Sequence, residues 1–287
     1  MPRGVPKAGK RRPRRTKAAM KLEQFYTDNV NETDEQIDLR IRERFEVLQY
    51  LTNEATQGNV RAIIVSGPAG LGKSYTIDNT LQEWDPNGIN YTVAKGYVKA
   101  TGLYKLLHQH KEKGQVIVFD DADTVFFDET SLNLLKGACD TTEVRKISYL
   151  AEGNLIDEES AERLPKSFVF EGTVIFITNY DFDLMIDKGH KLAPHLQALV
   201  SRAHYVDLSL KTKRDFLIRI KQVMTMGLLE KRGLNKQEQK DIMEFVDANV
   251  DSLRELSLRI VIKIADIRKG SNSKWQNIAK ITCCRNR

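Results

Sequence analysis

Cysteine is scarce in this chain: Cys139, Cys283 and Cys284 are the only three. The count is odd and no two are spaced as CxxC, so neither a disulfide framework nor a zinc site is supported. A reducing, intracellular compartment fits best. Long apolar runs are missing too. None approaches the ~20 residues of a membrane helix, and no membrane partner is expected. The basic N-terminus has no apolar stretch behind it, which excludes a secretory signal. Acidic residues are absent from the first 21 positions, which carry nine lysines and arginines. Removing those nine charges from the net +6 leaves the body at −3, so the basic character lives in the tail. A block of like charge predicts a disordered interaction arm.

What is present divides into stretches. Residues 1–21 form the basic tail, with Pro2, Pro6 and Pro13 opposing helix. From 22 to about 60 the spacing of Ile41, Phe45, Leu48 and Leu51 predicts a helix. Residues 61–210 alternate short apolar runs with helical patterns, which predicts a parallel sheet with crossover helices. The runs are Ala62–Val65, Tyr91–Ala94, Val116–Phe119, Val174–Thr178 and Tyr205–Leu208. They suit strands buried on both faces. Residues 211–287 show no strand pattern and read as a helical domain. There Ser252 with Glu255, and Asn235 with Glu238, have the form of capping boxes. Asp85-Pro86-Asn87-Gly88 reads as a turn. The fold class expected is α/β: a parallel sheet between helices, spanning 22–210, followed by a helical lid.

Residues 67–74 read Gly67-Pro68-Ala69-Gly70-Leu71-Gly72-Lys73-Ser74, with Tyr75 next. Every position of GxxxxGK[ST] is filled, between an apolar strand and a helical pattern. Glycines let the backbone curl so that several N–H groups face one anion, and the helix that follows adds its positive end. Lys73 would reach the outer phosphates of ATP, and the Ser74 hydroxyl would ligate Mg2+. Downstream, Val116–Phe119 ends in Asp120-Asp121, where a parallel sheet presents ligands. Asp120 would hold magnesium, and Asp121 would orient or deprotonate a water. A solvated acidic turn accounts for Asp123.

This order of motifs resembles the AAA+ ATPases over roughly residues 30–270. The resemblance implies further roles. Asn179, ending the strand at Thr178, resembles sensor 1. Arg202 in Ala198-Leu199-Val200-Ser201-Arg202 resembles the arginine finger of clamp-loader relatives, which completes a neighbour's site. Arg254 resembles sensor 2, with Arg259 competing for that role. A surface ion pair would account for either arginine, and a turn for Asn179. The family often carries Asp-Glu where this chain has Asp120-Asp121, and initiator-type members carry Asp-Asp. Self-association into a ring or spiral, hexamer-like, is implied.

Lys95-Gly96-Tyr97-Val98-Lys99 follows the second strand, where AAA+ rings carry a central loop. Gly-Tyr-Val resembles the grip of protein unfoldases, while Tyr97 with Lys99 also suits a nucleic-acid strand. Inward packing of Tyr97 is the plainer alternative. Between Asp121 and Asn179, Arg145–Tyr149 and Lys166–Phe170 read as an inserted hairpin, with acids from Asp157 to Glu162 near its tip. The tail, with Arg11, Arg12, Arg14 and Arg15, suits DNA phosphates. A solubility tail, a nuclear-import signal, a transit peptide, or a contact with ribosomal RNA or an anionic membrane surface are the alternatives. The leading expectation is a DNA-associated ATPase of loader, initiator or transposition-regulator type, with a replication, loading or recombination role, resembling small ATPases of large tailed phages. It would act in the cytoplasm, or the host's if viral. A protein-remodelling ATPase and an ATP-gated scaffold with slow hydrolysis are the alternatives.

Overall fold

The structure is a computed structural model that describes residues 32–150, 155–156, 162–270 and 273–285. Arg11, Arg12, Arg14 and Arg15 therefore lie outside the described residues, as does the acidic stretch at 157–161.

Helix α1, Asp34–Thr56, opens on a capping box between Thr33 and Gln36. It buries Ile37, Ile41, Phe45 and Leu48, one face at helical spacing. Strand β1, Ala62–Ser66, follows and is buried throughout. Then come α2 (Lys73–Trp84), β2 (Tyr91–Lys95), α3 (Ala100–Gln109) and β3 (Val116–Asp120). A 3-10 turn at Asp123–Phe126 leads to α4 (Glu129–Ala138), the short strands β4 (Lys146–Ser148) and β5 (Ser167–Val169), and β6 (Thr173–Thr178). Helices α5 (Phe182–Asp187) and α6 (Ala193–Val200) precede β7, His204–Asp207.

Five strands form one sheet in the order β2-β3-β6-β1-β7, and every pairing is parallel. Alternate residues sort to opposite faces. Ile63, Val65, Val118 and Ile175 join a core with α1, α2 and the C-terminal helices. Ala62, Ile64, Phe119 and Phe176 join a second core under α3, α4 and α6. Burial on both faces is why these strands read as continuous apolar runs. The order inserts β6 between the strand before the glycine loop and the strand ending in Asp120.

β4 and β5 pair antiparallel, as the hairpin reading expected, with Ile147 opposite Phe168. Phe168 packs on Tyr104, ring centroids 5.1 Å apart, and the Tyr104 hydroxyl donates to the Pro165 carbonyl at 2.7 Å. The hairpin is thus fastened to α3.

After Leu210 the regular elements among the described residues are helices: α7 (Lys213–Thr225), α8 (Lys236–Ala248), α9 (Leu258–Gly270) and α10 (Trp275–Cys283). Asn235 and Glu238 form the expected capping box on α8. Ser252 and Glu255 do not. Residues 252–254 are tied to the chain's end: Leu253 bridges Cys284, and Arg254 N donates to the Cys283 carbonyl at 2.9 Å. That pairing holds the segment out of helix, and α9 starts only at Leu258, where Ser257 Oγ accepts from Ile260 N at 3.3 Å. Helix α1 ties this part to the sheet domain. Gln222 donates to the Asp38 carbonyl at 2.7 Å, and Arg40 meets Asp215 at 3.3 Å. No helix among the described residues is long and apolar enough to cross a membrane.

Candidate functional site

The loop of residues 67–72 joins β1 to α2 at the carboxyl edge of the sheet. Gly70 and Gly72 have φ of 77° and 90°, left-handed values that favour glycine. A side chain at Gly70 has no room either, since its Cβ would stand 2.6 Å from Ser257 Cβ. The α9 start is docked on the loop, with Leu258 N donating to the Gly70 carbonyl at 2.8 Å. Leu71 points into the core, 2% exposed, and its carbonyl accepts from the buried Arg219 at 3.1 Å.

Lys73 opens α2 and is buried. Its ammonium donates to the Gly67 and Pro68 carbonyls, at 2.5 and 3.0 Å, and to Asn179 Oδ1 at 2.9 Å. Burial pushes its pKa down to about 8, against the pull of Asp121 and Asp120. Asn179 Nδ2 in turn donates to Asp121 Oδ1 at 3.0 Å. Asn179 is held because the carbonyl of Tyr180, its neighbour, accepts from Ser66 Oγ at 2.8 Å. Asp121 has φ of 52°, the one described residue other than glycine with a left-handed backbone. That conformation costs about 1–2 kcal/mol for a side chain with Cβ. Its amide still bonds the Ile177 carbonyl at 3.2 Å, so the strand ladder ends there and the carboxylate turns toward Asn179.

Ser74 Oγ donates to Asp120 Oδ1 at 2.8 Å. No cluster of three or more His, Cys, Asp or Glu suited to a metal occurs among the described residues. A hydroxyl and one carboxylate are the hard oxygens that magnesium takes while keeping water and phosphate oxygens as its other ligands. The donor set fits that ion.

Lys73, Ser74, Tyr75, Asp120, Asp121 and Asn179 line one cleft of about 290 Å³, together with Ala69, Gly70 and Gly72. Residues of the C-terminal helical part close its other side: Lys231, Arg232, Leu258 and Arg259. Lys231 donates to the Tyr75 hydroxyl at 3.3 Å. Arg254 is not among the lining residues. Its Nε donates to the Thr282 carbonyl at 3.2 Å, and the cation that α9 brings to the cleft is Arg259. Arg259 is close enough for its charge to lower the Lys73 pKa further. Arg202 is also away from the cleft. It donates to the Ala198 carbonyl at 2.7 Å and pairs with Asp140 at 3.5 Å. Asp123 is half-buried rather than solvated, and burial raises its pKa.

Tyr97 is 72% exposed, so it does not pack inward. Val98 N donates to Thr124 Oγ1 at 3.3 Å, which rests the loop on the 3-10 turn after Asp121. Lys99 is exposed at the start of α3. Lys95 is a residue that sequence reasoning passed over: its Nζ lies 3.0 Å from Asp120 Oδ2. The signal was faint. Lys95 is the charged residue ending β2, as Asp120 is for β3, and only the strand order makes them partners.

No family model matches the chain. Over 254 residues it is 39% identical to the uncharacterized 36.7 kDa protein in the nrdC-mobD intergenic region of Enterobacteria phage T4, covering 88% of this chain and 77% of that one. The chain belongs to the family of that T4 protein. Among solved structures it is similar to NtrX from Brucella abortus. The complex with ATP has a TM-score of 0.40 and 11% identity, over 93% of this chain and 66% of NtrX. The complex with ADP has 0.43 and 13%, over 79% and 50%. The chain thus spans between half and two thirds of the NtrX chains it matches. The strand order and the glycine loop give the architecture of this chain: a parallel sheet flanked by helices, with a P-loop between β1 and α2.

Proposed function

We propose that the chain binds ATP with magnesium, hydrolyses the γ-phosphate bond, and does so as an assembly of copies acting on DNA. One observation carries the ATPase reading: a hydrogen-bonded line from Lys73 through Asn179 to Asp121, beside the Ser74–Asp120 pair. Loop amides and the α2 N-terminus bind the phosphates. Lys73 turns from its loop carbonyls to the outer phosphate oxygens. Asp121 orients the attacking water and takes its proton, while Asn179 fixes Asp121 relative to Lys73. Magnesium, when bound at Ser74 and Asp120, supplies charge neutralisation for the phosphates. Arg202 of a second copy would complete the site, an addition worth ~10³–10⁵ in rate in related phosphoryl transfers.

The test is a pair of variants. Lys73→Ala should lose ATP binding. Asp121→Asn should bind ATP with near-normal affinity and lose turnover. Loss of binding in neither, or unchanged turnover in Asp121→Asn, would refute the reading. Arg202→Ala should bind ATP yet lose the rise of specific activity with protein concentration.

The DNA role draws support from the arginine-rich tail and from kinship with a phage-encoded protein. ATP turnover should rise with added DNA. A second reading, protein remodelling, is favoured by the outward Tyr97 in Gly96-Tyr97-Val98. It expects Tyr97→Ala to keep basal hydrolysis and lose action on a protein client, with no response to DNA.

A further inference from the structure

Both carboxylate oxygens of Asp120 are engaged. Oδ1 accepts from Ser74 at 2.8 Å, and Oδ2 meets Lys95 Nζ at 3.0 Å. Lys95 ends β2 and is the register partner of Asp120, so the backbone ladder sets them side by side. The Lys95 side chain is 60% exposed, and its four-carbon stem can swing while its root stays fixed. Asp78 lies one turn beyond Ser74 on the same face of α2. Its Oδ1 is buried, with no hydrogen-bond partner among the described residues. A buried carboxylate oxygen without a donor is costly. The charge of Lys95 is felt at both Asp78 and Asp120.

We infer that Lys95 is a tethered cation that holds magnesium's place at Asp120 and transfers to Asp78 when the ion binds. The inference rests on the nucleotide reading above, because that reading makes Asp120 the metal carboxylate. Without the ion, Asp120 would be a buried carboxylate with only hydroxyl support, and Lys95 offsets its charge. With the ion, two cations compete for one carboxylate and the weaker, singly charged one must leave. Asp78 Oδ1 is the neighbouring acceptor that lacks a donor. The exchange keeps the local charge closer to constant between the empty and loaded states. Lys95 is thus a positioning residue for the metal, without touching the phosphates.

The experiment titrates Mg2+ into the full chain with AMP-PNP, reading nucleotide binding by calorimetry, and adds melting curves without metal. Lys95→Met is expected to lower the Mg2+ half-saturation concentration by roughly two- to fivefold, the scale of one partly exposed ion pair. It should also lower the metal-free melting temperature and leave the Mg2+·AMP-PNP melting temperature nearly unchanged. Lys95→Arg keeps a cation on β2 and should restore wild-type behaviour in both readouts. Asp78→Asn should raise the half-saturation, since Lys95 then stays on Asp120, and should lose most of that effect in the Lys95→Met background. An equal Asp78→Asn effect in both backgrounds overturns the inference. So does an unchanged or raised half-saturation in Lys95→Met. A wild-type chain that takes up no Mg2+ with AMP-PNP overturns the nucleotide reading and the inference with it.

Discussion

Asn179 is the residue on which the site's geometry turns, because its amide contacts Lys73 with one end and Asp121 with the other. Asn179→Ala is expected to cut turnover about 10²-fold, the scale of removing one preorganised polar group, with a smaller change in ATP affinity. Steady-state kinetics beside equilibrium binding separates the two. For the C-terminal cation, Arg259→Ala should weaken ATP binding, while Arg254→Ala should leave it intact and lower only the melting temperature. The meeting of Lys73, Ser74 and Asp120 in one cleft was legible in the sequence because it depends on local spacing: a loop of fixed length, and the end of an apolar run. The choice between Arg254 and Arg259 was not. It depends on where α9 begins, and that is decided by Leu253 pairing with Cys284, 31 residues along the chain. Lys95 was hidden for a similar reason, since no local pattern reveals which strands are neighbours.

At the scale of elements, the five strands of the main sheet were readable to within a residue or so because each is buried on both faces, and the inserted hairpin was readable from its two short runs. Their order along the sheet was not, being a property of crossovers. Docking of α9 on the glycine loop gives a sharp expectation. Gly70→Ala puts a methyl against Ser257 and asks alanine for a φ of 77°. It should lower the melting temperature and weaken ATP binding together, and a chain melting like wild type with normal affinity would contradict the docking. Helix α3 offers a pH test. Burial holds the His110 imidazole below its ordinary value of 6.5, against a hydrogen bond the ring donates to the Leu106 backbone, which pulls upward. The folded chain therefore keeps it neutral while the unfolded chain takes up a proton near that pH. The stability it contributes is complete above 6.5 and is lost as pH falls through the lower, folded value. Melting curves at pH 7.5 and 5.5 should show a drop that His110→Gln makes smaller.

For the whole molecule, the tail's nine cations set the expectation for DNA. Deleting residues 1–21 should weaken DNA binding and flatten its salt dependence, each phosphate that goes unneutralised taking about 0.9 from the logarithmic slope. ATP affinity without DNA should be untouched, because among the described residues the cleft is lined from Ala69 onward, far along the chain from the tail. The sequence pointed to a sheet with a helical companion, but not to α1 fastening the two through Asp38 and Gln222. The place of β6, between β1 and β3, has one more consequence. Strands stand about 4.8 Å apart, so the glycine loop and Asp120 are set roughly 10 Å from each other by two rungs of peptide hydrogen bonds. The sheet acts as a ruler for the cleft. A caliper of main-chain bonds cannot be widened by replacing a side chain, so substitutions around the gap should alter rates long before they alter its width.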